Sequence, residues 1–171
     1  AVARVLGGDF ERIEGTIDLM PNDLIYHTYI NEQGRPAVDP GPLLKHQENL
    51  ATFFFNEVNR ARPQVHSLLL RVMAERSVTA FNREYYFPHV QVFADRNRVE
   101  KEETFELPAA ARDRFLMELN ITMPADRDLQ RQLMFDTRFF DVDALIGGLR
   151  AGVLPFTELN GVSATIQQHI T

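Results

Sequence analysis

The stretch that decides the predicted fold is LLKHQENLATFFFNEVNRA, residues 43–61. From Leu43 to Ala61 its apolar side chains recur at steps of three and four, which is the spacing of one face of an α-helix. Pro63 ends this helix and is tolerated in the first turn of a second one, which the apolar spacing places over 63–81. The two segments are therefore predicted to form a helical hairpin.

Segments with the patterns of β-strands lie on both sides of this hairpin. Apolar and polar residues alternate over 13–19, and residues 24–30 are rich in β-branched and aromatic side chains. The turn-forming residues 21–23 between them predict a first antiparallel hairpin. A second antiparallel hairpin with one strongly acidic strand is predicted over 85–107.

Short helices are predicted in the remainder of the chain. Pro108 opens one helix, Pro124 or Asp126 starts another, and Asp141 has the position and chemistry of an N-cap for a third. The sequence therefore predicts an α+β fold, with antiparallel β-hairpins packed against a helical hairpin and short C-terminal helices. We expect a single domain covering 1–171, because this length suits one hydrophobic core.

Composition excludes several classes of function. The chain contains no cysteine, which excludes disulfides, thiolate catalysis, iron–sulfur clusters and cysteine zinc sites. No apolar run approaches the roughly 18 residues of a membrane span, so no membrane partner is expected. Because Ala1–Arg4 lacks the charged and apolar regions of a signal peptide, the sequence predicts a protein of the cytoplasm, or of a virion assembled there.

No contiguous catalytic or cofactor motif is present. The sequence contains neither a G-x-x-x-x-G-K-S/T phosphate loop, nor a three-glycine dinucleotide fingerprint, nor a G-x-S-x-G nucleophile elbow. Its histidines do not stand at metal-ligand spacing from one another: His27, His46, His66, His89 and His169. We therefore predict no catalytic residue, no metal and no cofactor.

Charge is unevenly distributed along the chain. Residues 40–83 carry a net charge of +3, whereas residues 1–39 carry −4 and residues 84–171 carry −5. The basic side chains of the helical hairpin can pair within the chain, with a neighbouring subunit, or with nucleic acid, although the overall charge of −6 argues against nucleic acid. The candidate interface residues are Arg60, Arg62, Arg71 and Arg76, facing Glu100, Glu102 and Glu103 of another copy.

Consecutive phenylalanines are the second indication of an interface. If Phe53, Phe54 and Phe55 lie on a helix, they spread over about 200° of its circumference, which exceeds the stripe that a surface helix buries. Either this helix is covered on two sides, or part of its aromatic surface contacts another chain. Phe139 and Phe140 repeat the pattern and are candidate interface residues too.

These observations favour a role in assembly over a role in catalysis. The sequence predicts a non-enzymatic assembly or adaptor protein that acts as an oligomeric component of a larger complex, such as a structural protein of a phage neck or tail. Its partners would be other protein subunits, most simply further copies of the chain. Two alternatives stay open: a regulatory or ligand-binding domain, and an enzyme whose site is assembled from residues distant in sequence.

Overall fold

The computed structural model describes residues 1–97 and 104–169. It contains both helices and strands, which confirms the coarse prediction of a mixed fold, but their arrangement differs from the predicted one. In chain order the elements are α1 Val2–Leu6, β1 Asp9–Glu14, α2 Pro21–Ile25, β2 Tyr26–Ile30, β3 Pro36–Pro40, α3 Pro42–His46, β4 Leu50–Asn56, α4 Pro63–Glu75, β5 Ser77–Ala80, β6 Arg83–Tyr86, β7 Gln91–Ala94, α5 Ala109–Arg112, α6 Arg127–Phe135, α7 Val142–Gly147 and α8 Leu159–His169.

A three-stranded parallel sheet forms the centre of the molecule, in the order β1-β4-β7. Phe54 of β4 lies opposite Arg12 of β1 on one side and opposite Phe93 of β7 on the other. Most side chains of this central strand are buried, as expected for a parallel strand that is covered on both faces and reads as a continuous apolar run.

The predicted helix over 43–61 is wrong, and with it the helical hairpin. The helix that begins at Pro42 ends at His46, where Gln47 takes a positive φ of 48°. The apolar run that follows is β4, because phenylalanines favour strands and a short apolar run cannot be assigned from periodicity alone. Only the second helix of the pair is confirmed: α4 begins at Pro63 as predicted, although it ends at Glu75.

Two antiparallel hairpins are present, at positions other than the predicted ones. The pairs are β2 with β3 and β5 with β6. The predicted turn 21–23 instead lies in α2, and the predicted hairpin over 85–107 is replaced by β6 and β7, which pair with different strands. The far end of that predicted hairpin includes residues 98–103, which lie outside the described residues.

The hydrophobic core is built around β4. Phe53 and Phe55 are 0% exposed, and their ring centroids lie 6.4 Å apart in an edge-on arrangement. Buried residues of α2, α3 and α4 belong to the same core cluster. Burying one such side chain stabilises the fold by about 1.5–3 kcal/mol. Alternate residues of a strand share one face, so Phe54 points the other way, where the Arg12 guanidinium lies 5.9 Å from its ring centroid.

The segment after α6 contacts the beginning of the chain. Arg4 Nε donates to the carbonyl oxygen of Leu149 at 2.7 Å, and its Nη2 donates to that of Gly147 at 2.8 Å. The N–H of Gly152 donates in turn to the carbonyl oxygen of Arg4 at 3.0 Å. These contacts place the end of α7 beside α1.

The three predicted helix starts are confirmed in this C-terminal part, and Pro108 is the N-cap of α5. Asp126 caps α6 through its side chain, which accepts hydrogen bonds from the N–H groups of Asp128 and Leu129. Asp141 caps α7 by accepting from the N–H of Ala144 at 2.8 Å. Within the described residues, no helix is both long and apolar enough to cross a membrane. The single-domain organisation stays a prediction.

Candidate functional site

Polar residues collect where the three parallel strands of the central sheet end. Glu14 is the last residue of β1 and Asn56 is the last residue of β4, which Glu57 follows directly. Asp95 comes immediately after β7. Because the strands are parallel, their carboxyl ends meet at one edge, and ligands of open α/β sheets bind outside that edge. We call Glu14, Asn56, Glu57 and Asp95 the carboxyl-edge cluster.

The ends of β1 and β4 are tied together at this edge. Asn56 Nδ2 donates to Glu14 Oε1 at 2.5 Å, and the N–H of Gly15 donates to the carbonyl oxygen of Asn56 at 2.7 Å. Gly15 also packs directly on the next peptide, since a Cβ at this position would lie 2.1 Å from the carbonyl oxygen of Glu57. A side chain at residue 15 would therefore push the two strand ends apart.

Glu57 has an unusual backbone conformation. Its φ of 50° and ψ of 47° are left-handed, which costs a non-glycine residue about 1–2 kcal/mol. The N–H of Glu57 donates to Asp95 Oδ1 at 2.5 Å, and the N–H of Val58 donates to the backbone oxygen of Asp95 at 3.0 Å. Such strained residues concentrate at functional sites, where the surrounding structure holds them in place.

The Glu57 carboxylate is accessible yet restrained. Its side chain is 26% exposed, and Arg60 Nη1 donates to its Oε2 at 3.0 Å. Glu57 also closes the short 3-10 turn after β4, because the N–H of Arg60 donates to its carbonyl oxygen at 2.9 Å. The carboxyl-edge cluster therefore presents the Glu57 carboxylate at the carboxyl edge of the sheet. The backbone of Glu57 is held in place, and the Arg60 guanidinium lies beside its carboxylate.

Buried polar side chains form hydrogen bonds in and around the 3-10 turn that follows β4. His66 of α4 is 2% exposed, and its Nε2 lies 2.7 Å from the carbonyl oxygen of Val58, to which it donates. Asn59 Nδ2 donates to the carbonyl oxygen of Asn97 at 3.2 Å, which links the turn to the segment after β7. Among the residues that the structure describes, Asn59 Oδ1 and His66 Nδ1 find no hydrogen-bond partner.

The structure places the aromatic interface candidates in different environments. Phe53 and Phe55 lie in the core of their own chain, so the angular argument from a helix is wrong and no longer supports an interface there. Phe54 is half-buried beside Arg12. Phe139 and Phe140 are exposed, at 41% and 67%, and their contact with another chain stays a prediction.

The basic interface candidates make contacts within their own chain. Arg60 pairs with Glu57, as described above. Arg71 Nε donates to Glu75 Oε2 at 2.7 Å, and this hydrogen bond raises the pKa of the Arg71 guanidinium. Arg76 donates to the oxygen of Pro88 and to Asn160 Oδ1.

These contacts favour the intramolecular alternative for the basic residues 60–76. Arg62 is exposed. The proposed acidic partners on another copy, Glu100, Glu102 and Glu103, lie outside the described residues. Charge-driven contact between subunits stays a prediction.

Two histidines lie beside carboxylates. His46 Nδ1 is 3.1 Å from Asp9 Oδ2 and its Nε2 is 2.8 Å from Glu11 Oε2, whereas His27 Nδ1 is 3.7 Å from Asp23 Oδ1. Within residues 1–97 and 104–169, no group of three or more His, Asp or Glu residues is arranged to hold a metal ion.

Comparison with known proteins identifies the class of the chain. Residues 1–117 match the model of the family described as "ATPase family associated with various cellular activities (AAA)". The chain belongs to this AAA family. The family match includes the whole carboxyl-edge cluster.

The chain is similar to proteins named MoxR and MoxR1. It is 64% identical over 171 residues to Protein MoxR of Methylorubrum extorquens, covering 100% of this chain and 50% of the relative. It is 40% identical over 137 residues to Chaperone MoxR1 of Mycobacterium tuberculosis, covering 78% of this chain and 34% of the relative. The chain thus spans about half the length of the MoxR protein from Methylorubrum, or less for other relatives.

A solved structure gives the same assignment. The crystal structure of a Cytophaga hutchinsonii protein assigned as an ATPase superimposes on the AAA chain with a TM-score of 0.63 and 34% sequence identity. The match covers 80% of this chain and 40% of that one.

These findings overturn the functional prediction. The non-enzymatic assembly or adaptor protein, the phage structural protein and the virion component are all wrong, because the chain belongs to a family of ATPases and resembles MoxR proteins. The prediction that the protein is not an enzyme is wrong for the same reason.

Sequence reasoning missed all four residues of the carboxyl-edge cluster. One local signal was available: the apolar run 50–55 ends in the polar pair Asn56 and Glu57. A buried strand that ends in polar, acidic residues is typical of sites that handle Mg²⁺ and nucleotide phosphates. Reading the run as a helix removed that signal.

Proposed function

We propose that the chain contributes the catalytic edge of an ATP-hydrolysing site, and that Glu57 is the carboxylate that orients the attacking water. The observation that carries the proposal is the position of Glu57: it follows the central parallel strand of an AAA-family chain, in a left-handed conformation, with its carboxylate partly exposed. Phosphoryl transfer depends mainly on positioning and electrostatics, so a rigidly held carboxylate is the group required.

The donor chemistry of the carboxyl-edge cluster suits Mg²⁺, which ATPases use with their substrate. Mg²⁺ prefers oxygen ligands and is usually held by one or two carboxylates together with substrate phosphates, rather than by a protein cage. Glu14 and Glu57 offer carboxylate oxygens, and Asn56 offers an amide oxygen. When bound, Mg²⁺ would supply positive charge beside the phosphates. The residues of the chain would orient the attacking water and shield that water from bulk solvent.

The amide of Asn56 has a separate role at this edge. Its Nδ2 holds the Glu14 carboxylate at 2.5 Å, and so fixes the end of β1 against the end of β4. Gly15 permits the close approach that this contact requires. We propose that the Asn56–Glu14 pair holds the ends of β1 and β4 together beside Glu57. The groups around the water-orienting carboxylate then keep a single arrangement.

Substitution of Glu57 by Gln tests the proposal in the protein as it occurs in its source. Glutamine keeps the size of the side chain but cannot act as a base, so we expect kcat for ATP to fall about 100-fold or more. ATP binding, measured by fluorescence of a labelled nucleotide, should be retained.

Glu75→Gln is the matched control. Glu75 is a paired, 54% exposed residue at the end of α4, outside the carboxyl-edge cluster, so its loss should leave kcat unchanged. An E57Q protein that hydrolyses ATP at the wild-type rate would contradict the proposed role of Glu57.

We also propose that the protein works as an oligomer that uses ATP to act on other proteins. The support is its 40% identity to a protein named as a chaperone, Chaperone MoxR1 of Mycobacterium tuberculosis. Mass measurement in solution, with and without ATP, tests the oligomer. A monomer under both conditions would contradict this part of the proposal and leave the assignment of Glu57 standing.

A further inference from the structure

Asp95 holds the turn around Glu57 through three hydrogen bonds. Its N–H donates to the carbonyl oxygen of Phe55 at 3.0 Å, and its own backbone oxygen accepts from the N–H of Val58 at 3.0 Å. Both are backbone contacts, so any residue at this position can make them. The third contact is specific to the side chain: Asp95 Oδ1 accepts from the N–H of Glu57 at 2.5 Å.

That third contact falls where the backbone is strained. Glu57 is in the left-handed region, with a φ of 50°, and a glutamate stays there only when its surroundings hold it. The carbonyl side of the turn is fixed by other elements, because the Glu57 oxygen packs over Gly15 and the Val58 oxygen accepts from His66. The amide side of Glu57 is bonded to the Asp95 carboxylate.

We propose that Asp95 is a positioning residue for Glu57: its side-chain oxygen fixes the left-handed backbone and thereby aims the Glu57 carboxylate. This inference rests on the proposed function of Glu57. It has a definite chemical content, since the contact needs a hydrogen-bond acceptor at the position of Oδ1 and does not need a negative charge. Asparagine supplies that acceptor, whereas alanine does not.

The experiment compares Asp95→Ala and Asp95→Asn in the same protein as E57Q. For D95A we expect kcat to fall roughly 10- to 100-fold, because displacement of a catalytic group by about 1 Å can cost as much as 100-fold. The KM for ATP should stay within about twofold of wild type, since a positioning residue acts on the chemical step. For D95N we expect kcat within about threefold of wild type, because the acceptor is restored.

Amide hydrogen exchange gives a readout that does not depend on activity. The N–H groups of Glu57 and Val58 should exchange faster in D95A than in wild type, and should stay protected in D95N. If wild type and E57Q hydrolyse ATP equally, the proposed function fails, and this is seen before any Asp95 variant is made.

The inference itself is overturned by either of two results. A folded D95A protein with wild-type kcat would show that Glu57 needs no such support. A folded D95N protein as inactive as D95A would show that the charge of Asp95 is required, and that it contacts metal or substrate directly. Should D95A fail to fold, D95N decides alone: retained kcat with protected Glu57 and Val58 amides supports positioning, and lost kcat overturns it.

Discussion

The backbone N–H of Glu57 donates a hydrogen bond of 2.5 Å to Oδ1 of Asp95, a residue 38 positions later in the chain. This contact joins the carboxyl ends of β4 and β7 beyond the point where their ladder stops. It uses a side chain where a regular sheet would use a carbonyl. The restrained residue, Glu57, is the one to which we assign the water-orienting role. The same hydrogen bond therefore stabilises the turn and positions the proposed catalytic group.

The first prediction concerns the core. Replacing Phe55 by Ala should lower the free energy of unfolding by about 3–5 kcal/mol, because it removes a fully buried ring from the central strand. Phe140→Ala is the matched control, since that ring is 67% exposed and its loss should change stability by less than about 0.5 kcal/mol. Urea denaturation measures both, and similar values for the two variants would contradict the assignment of β4 as the core strand.

The second prediction concerns the buried imidazole under the turn. His66→Ala should destabilise the protein by about 1–3 kcal/mol or more, because it leaves the carbonyl oxygen of Val58 buried without its donor. His66→Gln retains an N–H donor and should recover a substantial part of this loss. Chemical denaturation compares the two. Equal destabilisation by Ala and Gln would mean that packing, and not the hydrogen bond, is what His66 contributes.

The third prediction concerns acid sensitivity of the β5–β6 hairpin. Glu84 accepts hydrogen bonds from the Tyr86 hydroxyl at 2.7 Å and from Ser77 Oγ at 2.9 Å, and these lower the pKa of Glu84, the Tyr86 bond having the larger effect. A carboxyl whose folded pKa is lowered stabilises the fold above its unfolded pKa, and this contribution is lost as the pH falls through the folded value. The hairpin should therefore loosen only as the pH falls below the ordinary glutamate pKa of 4.5, towards the lowered pKa of Glu84.

Carbon-13 NMR titration of the Glu84 carboxyl measures the pKa of this group. Tyr86→Phe should raise the pKa of Glu84 more than Ser77→Ala does, because the tyrosine supplies the stronger bond. The same bond raises the pKa of Tyr86, so Glu84→Gln should bring the pKa of that phenol back down. A larger effect of S77A than of Y86F on Glu84 would contradict the geometry described here.

Local signals in the sequence predicted some elements correctly. Pro63 at a helix start, and Asp126 and Asp141 at N-caps, are features whose physical cause lies within one turn of the chain. The apolar run 50–55 was assigned wrongly, because its pairing as a strand depends on β1 and β7, which lie far away in sequence. Periodicity reports burial on one face, and β4 is buried on both.

The carboxyl-edge cluster was missed in the sequence for a related reason. Glu14 and Asn56 are 42 residues apart, and Glu57 and Asp95 are 38 residues apart, so no contiguous motif contains them. Parallel strands bring such positions together, and the sequence analysis predicted antiparallel hairpins in their place. With the parallel sheet assigned, the strand ends follow directly. The cytoplasmic localisation that the sequence favours stays a prediction.

The hydrogen bond between Arg4 and Leu149 has a consequence for synthesis on the ribosome, since its two residues are 145 positions apart. At translation rates of about 5–20 residues per second, Arg4 is added to the chain roughly 7–30 s before Leu149. Throughout that interval α1 lacks the carbonyl groups on which it finally docks. This contact therefore forms late in biogenesis, and nascent chains arrested before α7 should lack it.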